Sequence, residues 1–172
     1  MIVALANEPL THGPAKVIYV SASGPTYGID ELAARATIVA LVQPTDDGTT
    51  HWNNDRNTEW WPSPDSGKAA LIVRDNHAKV MKSYRGSASE LSFRTVGGVA
   101  GGVEMVFDDG PHLSESQQYI VFLEAVDWPT EDGVDQVLAP VAEGQGIFAL
   151  NGAGDYENTS GLVIHESLVL GE

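Results

Sequence analysis

The chain contains no cysteine. That absence excludes disulfide scaffolds, thiolate metal sites and cysteine nucleophiles, because each needs the sulfur itself. It leaves the compartment open, since oxidising compartments permit disulfides without requiring them. Basic residues are scarce as well: nine Lys and Arg stand against 24 Asp and Glu, a formal net charge of -15. Binding to nucleic acid draws on clustered cations that displace counterions from phosphates. With so few to offer, neither nucleic acid nor an anionic membrane surface is an expected partner. Long apolar runs are missing too. Stretches such as Ile38 to Val42 and Tyr119 to Leu123 fall far short of the ~20 residues a membrane helix needs, and no membrane insertion is expected. Met1 to Ala6 is too short, and lacks the basic start, for a complete signal peptide. The chain is therefore either not exported by that route or already in mature form.

What is present reads as one domain. A length of 172 residues is the size of a single core, and such a chain buries roughly 70% of the surface its unfolded form exposes. The core is expected over about residues 16–150, with a carboxy-terminal strand extension over 151–172. A net charge this far from zero favours solubility and opposes self-association at low salt. It suits an extracellular or envelope protein, a salt-adapted organism or a particle surface.

Lys16 to Ser21 reads as a short strand closed by the turn at Gly24-Pro25. Residues 28–35 read as a short helix, with Gly28 or Asp30 as N-cap and Glu31 in the first turn, where the helix dipole favours an anion. Thr37 to Val42 is apolar and β-branched, the pattern of a strand covered on both faces. Residues 45–67 have no periodicity and many turn formers, yet hold Trp52, Trp60 and Trp61. Disordered loops are poor in aromatics, so this one is expected to fold back on the body or onto a partner. From Ala69 onward the pattern is strands. Glu90 to Val96 alternates, with Leu91 and Phe93 on one face. Val103, Met105 and Phe107 alternate in the same way. Tyr119 to Leu123 is the most apolar segment and the expected centre of the sheet. Residues 127–135 read as a second loop carrying Trp128. Strands are expected at 137–141, 146–150, 161–165 and 168–170. Short strands at this spacing with one small helix predict a mostly β fold, a small closed or partly open antiparallel barrel or a sandwich.

A set of ordered pieces carries a resemblance. They are Lys82-Ser83-Tyr84-Arg85-Gly86, Phe93-Arg94-Thr95, the glycine turn Gly97-Gly98-Val99-Ala100-Gly101-Gly102, Pro111, Tyr119-Ile120-Val121-Phe122-Leu123 and Gly144-Gln145-Gly146-Ile147-Phe148-Ala149-Leu150. Upstream, Asp30 to Thr37 matches an opening helix and first strand. Together they resemble a family of small bacterial secreted and lipoprotein-type domains with a GG-x-x-GG turn and a Gln-Gly-x-Phe strand. The resemblance implies an oligonucleotide/oligosaccharide-binding (OB) or netrin-like barrel of five to six strands. The resemblance implies a fold and no particular activity. The chain departs from it at Ser116, where such domains have a glycine, and in its longer tryptophan-bearing loop.

The glycines at 97–102 have the look of a phosphate loop, but a strand follows them and not a helix, so a bulge or barrel corner is the expected role. His12, His51, His77, His112 and His165 form no metal-ligand spacing. His51 with Asp46, Asp47 and Asp55 supplies ligands only at loose spacing and reads as a solvated loop. Ser21, Ser23, Ser114 and Ser116 sit in no nucleophile elbow. Asn158-Thr159-Ser160 matches a glycosylation sequon. No catalytic residue, metal site or cofactor is expected.

The best functional signal is the set Trp52, Trp60, Trp61 and Trp128. Loop indoles stack on sugar rings or anchor protein interfaces; the competing reading is that they plug barrel ends or cover a sheet face. The expectation is a non-enzymatic extracellular or surface module that binds a protein or glycan partner through Trp-bearing loops. The alternative is a structural or decoration subunit of a phage particle or extracellular filament, in contact with copies of itself through packed termini. A protease-inhibitor-like domain rests on shape alone.

Overall fold

A computed structural model of the chain describes residues 16–20, 24–53, 71–108, 110, 112–130 and 133–169. In chain order the elements are β1 (Lys16–Val20), α1 (Ile29–Arg35), β2 (Ile38–Pro44), β3 (Thr49–Trp52), β4 (Ile72–Arg85), β5 (Glu90–Val96), β6 (Gly98–Ala100), β7 (Val103–Phe107), β8 (Tyr119–Thr130), β9 (Gly133–Pro140), β10 (Ile147–Leu150), β11 (Tyr156–Glu157), β12 (Val163–Ile164) and α2 (Glu166–Val169). One turn of 3-10 helix, Glu143–Gly146, separates β9 from β10. The fold is mostly β.

Two sheets form. The larger runs β12-β11-β10-β8-β2-β4-β3, with β5 added beside β4 and β9 beside β8; the smaller runs β1-β7-β6, with β1 parallel to β7. β8 stands at the middle of the larger order, where the apolarity of Tyr119 to Leu123 places it. Register explains why β2 and β8 carry apolar residues at consecutive positions. Ile38 pairs with Leu123 and Val42 with Tyr119. Ala40, Val42, Tyr119, Val121 and Leu123 enter one core cluster with Ala78, Leu91 and Phe93. Val39, Leu41, Ile120 and Phe122 enter another, closed by Leu32 of α1 and by Tyr156 and Ile164 of the carboxy-terminal segment. Period-two alternation thus feeds two cores at once, and a polar residue has no face to occupy. Phe122 meets Phe148 with ring centroids 5.5 Å apart at a tilt of 56°.

α1 is short and capped as its sequence predicts. Gly28 is the N-cap, and Glu31 reaches back to accept the Gly28 N–H at 2.9 Å. Leu32 then buries completely against the sheet.

Several expectations are corrected. The sheets are not closed into a barrel: β5 lies against β9, but β5 pairs with β4 and β9 with β8. Side chains occupy that seam in place of a ladder, and Arg94 Nη1 donates to Asp135 Oδ2 across it at 3.1 Å. The loop expected at 127–135 is instead a hairpin, with Asp127 opposite Gln136 and Trp128 opposite Asp135. Pro129 falls where β8 is paired on one side only, the position in a sheet that tolerates proline. The strand expected at 168–170 begins as the helical turn α2. Within the long loop expected at 45–67, β3 pairs with β4 through residue 52. Trp60, Trp61 and Asp55 lie outside the described residues, as do the chain ends on which the expectation of packed termini falls.

Candidate binding cleft

Trp52 ends β3 and does not stand on a loop. Its indole is 1% exposed, packed with Ile72, Ala100, Val103 and Met105 between the two sheets. A side chain at Gly101 would approach its Nε1 to 3.4 Å, and Gly101 has φ +57. The glycine turn therefore serves the corner between the sheets and the burial of Trp52. Gly98 makes the same point more sharply: at φ +125, a Cβ there would lie 2.4 Å from Thr50 Cγ2. No surface remains on Trp52 for a ligand.

Trp128 differs. It is half-buried on β8 and walls an open cleft of about 570 Å³. Segment 24–27 forms another side of the cleft, together with Arg35, Glu124, and Ala142 and Gln145 beyond β9. Gln145 staples two of these walls: its Oε1 accepts the Tyr27 N–H at 2.9 Å, and its Nε2 donates to Pro25 O at 3.1 Å. Arg35 Nη2 donates to Glu124 Oε1 at 2.8 Å, and its guanidinium stands 5.2 Å from the Tyr27 ring centroid. The polar groups are thus held by one another.

The turn that shapes this end is strained. Ala142 and Glu143 are consecutive non-glycine residues in the left-handed region, at φ 49 and 58. Such residues cost on the order of 1 kcal/mol or more each and cluster at ligand sites. The backbone has little alternative here. A Cβ on Gly146 would lie 2.8 Å from Phe122 O and from the Val141 backbone, so only glycine lets the turn press on β8. Asn158 Nδ2 donates to Gln145 O at 2.8 Å, while its Oδ1 accepts from the N–H groups of Ser160 and Leu162. The residue is buried, so the sequon's asparagine organises this turn.

A second, smaller cavity of about 30 Å³ shares Val96, Trp128, Ala139 and Pro140 with the cleft and is lined also by Arg94 and Thr95. Trp128 lines both spaces. Its Nε1–H is buried and, among the described residues, is the one buried side-chain polar atom with no hydrogen-bond partner. Leaving such a donor unpaired costs about 1–3 kcal/mol.

Away from the cleft, the charged residues tie elements together. Arg94 donates to Asp75 through Nε at 2.7 Å and Nη2 at 3.2 Å, and His51 Nε2 meets Asp75 Oδ2 at 2.8 Å. Desolvation pushes the Asp75 carboxyl up, but hydrogen bonds from Arg94 and His51 outweigh it and hold the group below the usual carboxylate range. His51 is thereby spent: its other ring nitrogen is 2.8 Å from Trp52 O. It is turned away from any shared site with Asp46, which accepts the Gly48 N–H at 2.9 Å. His77 Nδ1 and Ser92 Oγ lie 2.9 Å apart as a cross-strand pair on an exposed face. At the carboxy terminus, Lys82 Nζ and Tyr84 Oη both donate to Glu166 Oε1, at 2.9 and 2.8 Å. Burial first, and then Glu166, raises the Tyr84 phenol well above its ordinary value.

Of the four indoles expected at a site, only Trp128 lines this cleft among the described residues. Tyr27, Arg35, Glu124 and Gln145 were missed by sequence reasoning. The one available signal was Gln145 between Gly144 and Gly146, a glutamine flanked by glycines at a strand entrance. Comparison with family models, with curated proteins and with solved structures finds no match to the chain.

Proposed function

We propose that the protein is a non-enzymatic glycan-binding module of an extracellular or particle surface, and that Trp128 marks its binding cleft. The observation that carries this reading is the cleft itself: an indole and a phenol set among polar side chains already fixed to one another. Sugar rings offer apolar faces that stack on aromatics and a rim of hydroxyls that need donors and acceptors held in place. Preorganisation lowers the entropy lost on binding. The five strands β5-β4-β2-β8-β9, curled but unpaired at the β5–β9 seam, are read as an open form of the OB-like barrel. On a glycan array, the wild type is expected to bind a defined subset of glycans and Trp128→Ala to lose them. An array on which the folded wild type binds nothing, while a protein partner competes for Trp128, would sink the glycan reading.

A second reading, a structural subunit of a particle or filament, is favoured by the outer face of the small sheet. There Tyr19 is 74% exposed beside Val17 and Val99. It expects self-association in sedimentation that Tyr19→Ser abolishes; a monomer at high concentration counts against it.

A further inference from the structure

We infer that Asn151 is a self-modifying residue: its carboxamide closes on the Gly152 backbone nitrogen with loss of ammonia, and the succinimide so formed opens with water to aspartate and isoaspartate. The site is the turn that leads from β10 into β11. Asn151-Gly152 is the one Asn-Gly pair in the chain. Glycine places no β-carbon beside the attacking nitrogen. Gly152 is also exposed, and nothing stands within 4 Å of where a Cβ would lie. Its N–H donates to none of the described residues.

The same turn holds the electrophile. Asn151 Oδ1 accepts the Ala153 N–H at 2.9 Å and the Asp155 N–H at 3.1 Å. The ring closed by the first of these bonds contains both the carboxamide carbon and the Gly152 nitrogen, so the reacting atoms are tethered in one small loop. As the nitrogen adds to that carbon, negative charge develops on Oδ1, where two donors already converge. The leaving nitrogen, Nδ2, lies 3.5 Å from Glu157 Oε2.

Asn158 repeats this turn and serves as an internal control. Its Oδ1 accepts the N–H groups of Ser160 at 3.1 Å and Leu162 at 2.9 Å. Its own N–H donates to Leu162 O, as the Asn151 N–H donates to Asp155 O. The oxygen is therefore held alike in the two turns. The rest differs: Asn158 is buried, its Nδ2 donates to Gln145 O at 2.8 Å, and β-branched Thr159 follows it.

The step needs no reagent but water and a base in solvent. The Gly152 nitrogen gives its proton to that base and bonds to Asn151 Cγ; the Cγ–Nδ2 bond breaks, and Nδ2 leaves as ammonia. Water then cleaves the ring at Cγ, giving aspartate, or at the main-chain carbonyl carbon, giving isoaspartate. Aspartate keeps an acceptor for the two N–H groups. Isoaspartate carries the main chain through its own methylene, which lengthens the turn next to the Leu150–Tyr156 pair and pulls on Tyr156 in the core.

The test is incubation of the whole chain in mildly alkaline buffer, followed by peptide mass mapping with fragmentation that separates Asn151 from Asn158. The Asp-Gly pairs at 47–48, 109–110 and 132–133 form the same ring without releasing ammonia, so the readout is the amide-to-acid mass change. Asn151 is expected to convert at least about tenfold faster than Asn158, and Gly152→Ala, which fits the open space, to slow it at least about tenfold. The folded chain is expected to convert at least as fast as the chain in urea. Aged wild type is expected to melt below Asn151→Asp, which carries the acid without the extra methylene. Equal conversion of the two asparagines, or none at either, overturns the inference, and so does an unchanged rate in a folded Gly152→Ala chain. If that variant does not fold, the comparison of Asn151 with Asn158 within the wild type still decides. Faster conversion in urea overturns the role of the two N–H donors.

Discussion

β8 is one strand with two kinds of neighbourhood. From Tyr119 to Leu123 it has β2 on one side and β10 on the other along most of its length, and its side chains are buried on both faces. From Glu124 onward β2 has ended, β9 alone pairs with it, and Glu124, Asp127 and Trp128 appear. The difference shows how a cleft is attached to a core without a separate domain. A ladder on both sides holds the strand; continuing it with a ladder on one side carries a rigid aromatic beyond the packed layers. The inner half is bought with hydrophobic burial, and the outer half is free to carry polar groups.

The largest effect that would break this contrast lies in the inner half. Phe122→Ala removes a ring that is 2% exposed and packed on Phe148. It is expected to cost about 3–5 kcal/mol in urea unfolding. A cost below about 1 kcal/mol would mean that the inner half is not the packed centre described above.

The seam comes next. Arg94 on β5 ties to Asp135 on β9 and to Asp75 on β4, across a seam that Leu91, Phe93 and Leu138 also fill. Its side chain is 10% exposed, but Asp135 is 54% exposed, so water screens part of the interaction. Arg94→Met is expected to cost about 1–2 kcal/mol, less than breaking a fully buried pair. The pH dependence has a definite sign. Because the folded-state pKa of Asp75 lies below its ordinary value of 3.8, the stabilisation is fully present above that value and is lost as the pH falls through the lowered folded value. Wild-type stability is therefore expected to decline on acidification below about pH 4, with a shallower decline in Arg94→Met. Parallel declines in the two proteins would show that Asp75 gains nothing from Arg94.

How much of this was legible in the sequence divides along the same line. The α1 cap, the both-faces burial of β2, the alternation of β5 and β7 and the central place of Tyr119 to Leu123 follow from local chemistry, and local chemistry is what a sequence displays. The outer half of β8 was misread as a loop because Pro129 and Gly133 are turn formers, and one-sided pairing is a tertiary fact that removes their penalty. The cleft was not legible. Tyr27 and Gln145 are 118 positions apart, and their contact depends on Ala142 and Glu143 adopting left-handed conformations that neither residue type advertises. Trp52 failed as a site residue for the opposite reason. A tryptophan among turn formers looks like a ligand platform until Gly101 makes room for it in the core. Closed and partly open barrels both stood as expectations, since strand count and spacing do not report whether the last edge meets the first.

The smallest expected effect on stability is at Trp128, and it is the sharpest form of the contrast. Trading an indole for a phenyl removes buried apolar area, at a cost of up to about 1 kcal/mol. The same substitution removes a buried donor with no partner, which returns on the order of 1 kcal/mol of desolvation penalty. The two terms oppose each other, so Trp128→Phe is expected to leave the melting temperature within about 2–4 °C of the wild type, the shift that 1 kcal/mol makes in a chain of this size. In the inner half of the strand no such cancellation exists, because Phe122 carries no polar atom whose removal offsets the lost packing. A fall well beyond that range would mean that the indole N–H is bonded within the folded protein, and would make Trp128 part of the core and not the proposed ligand contact.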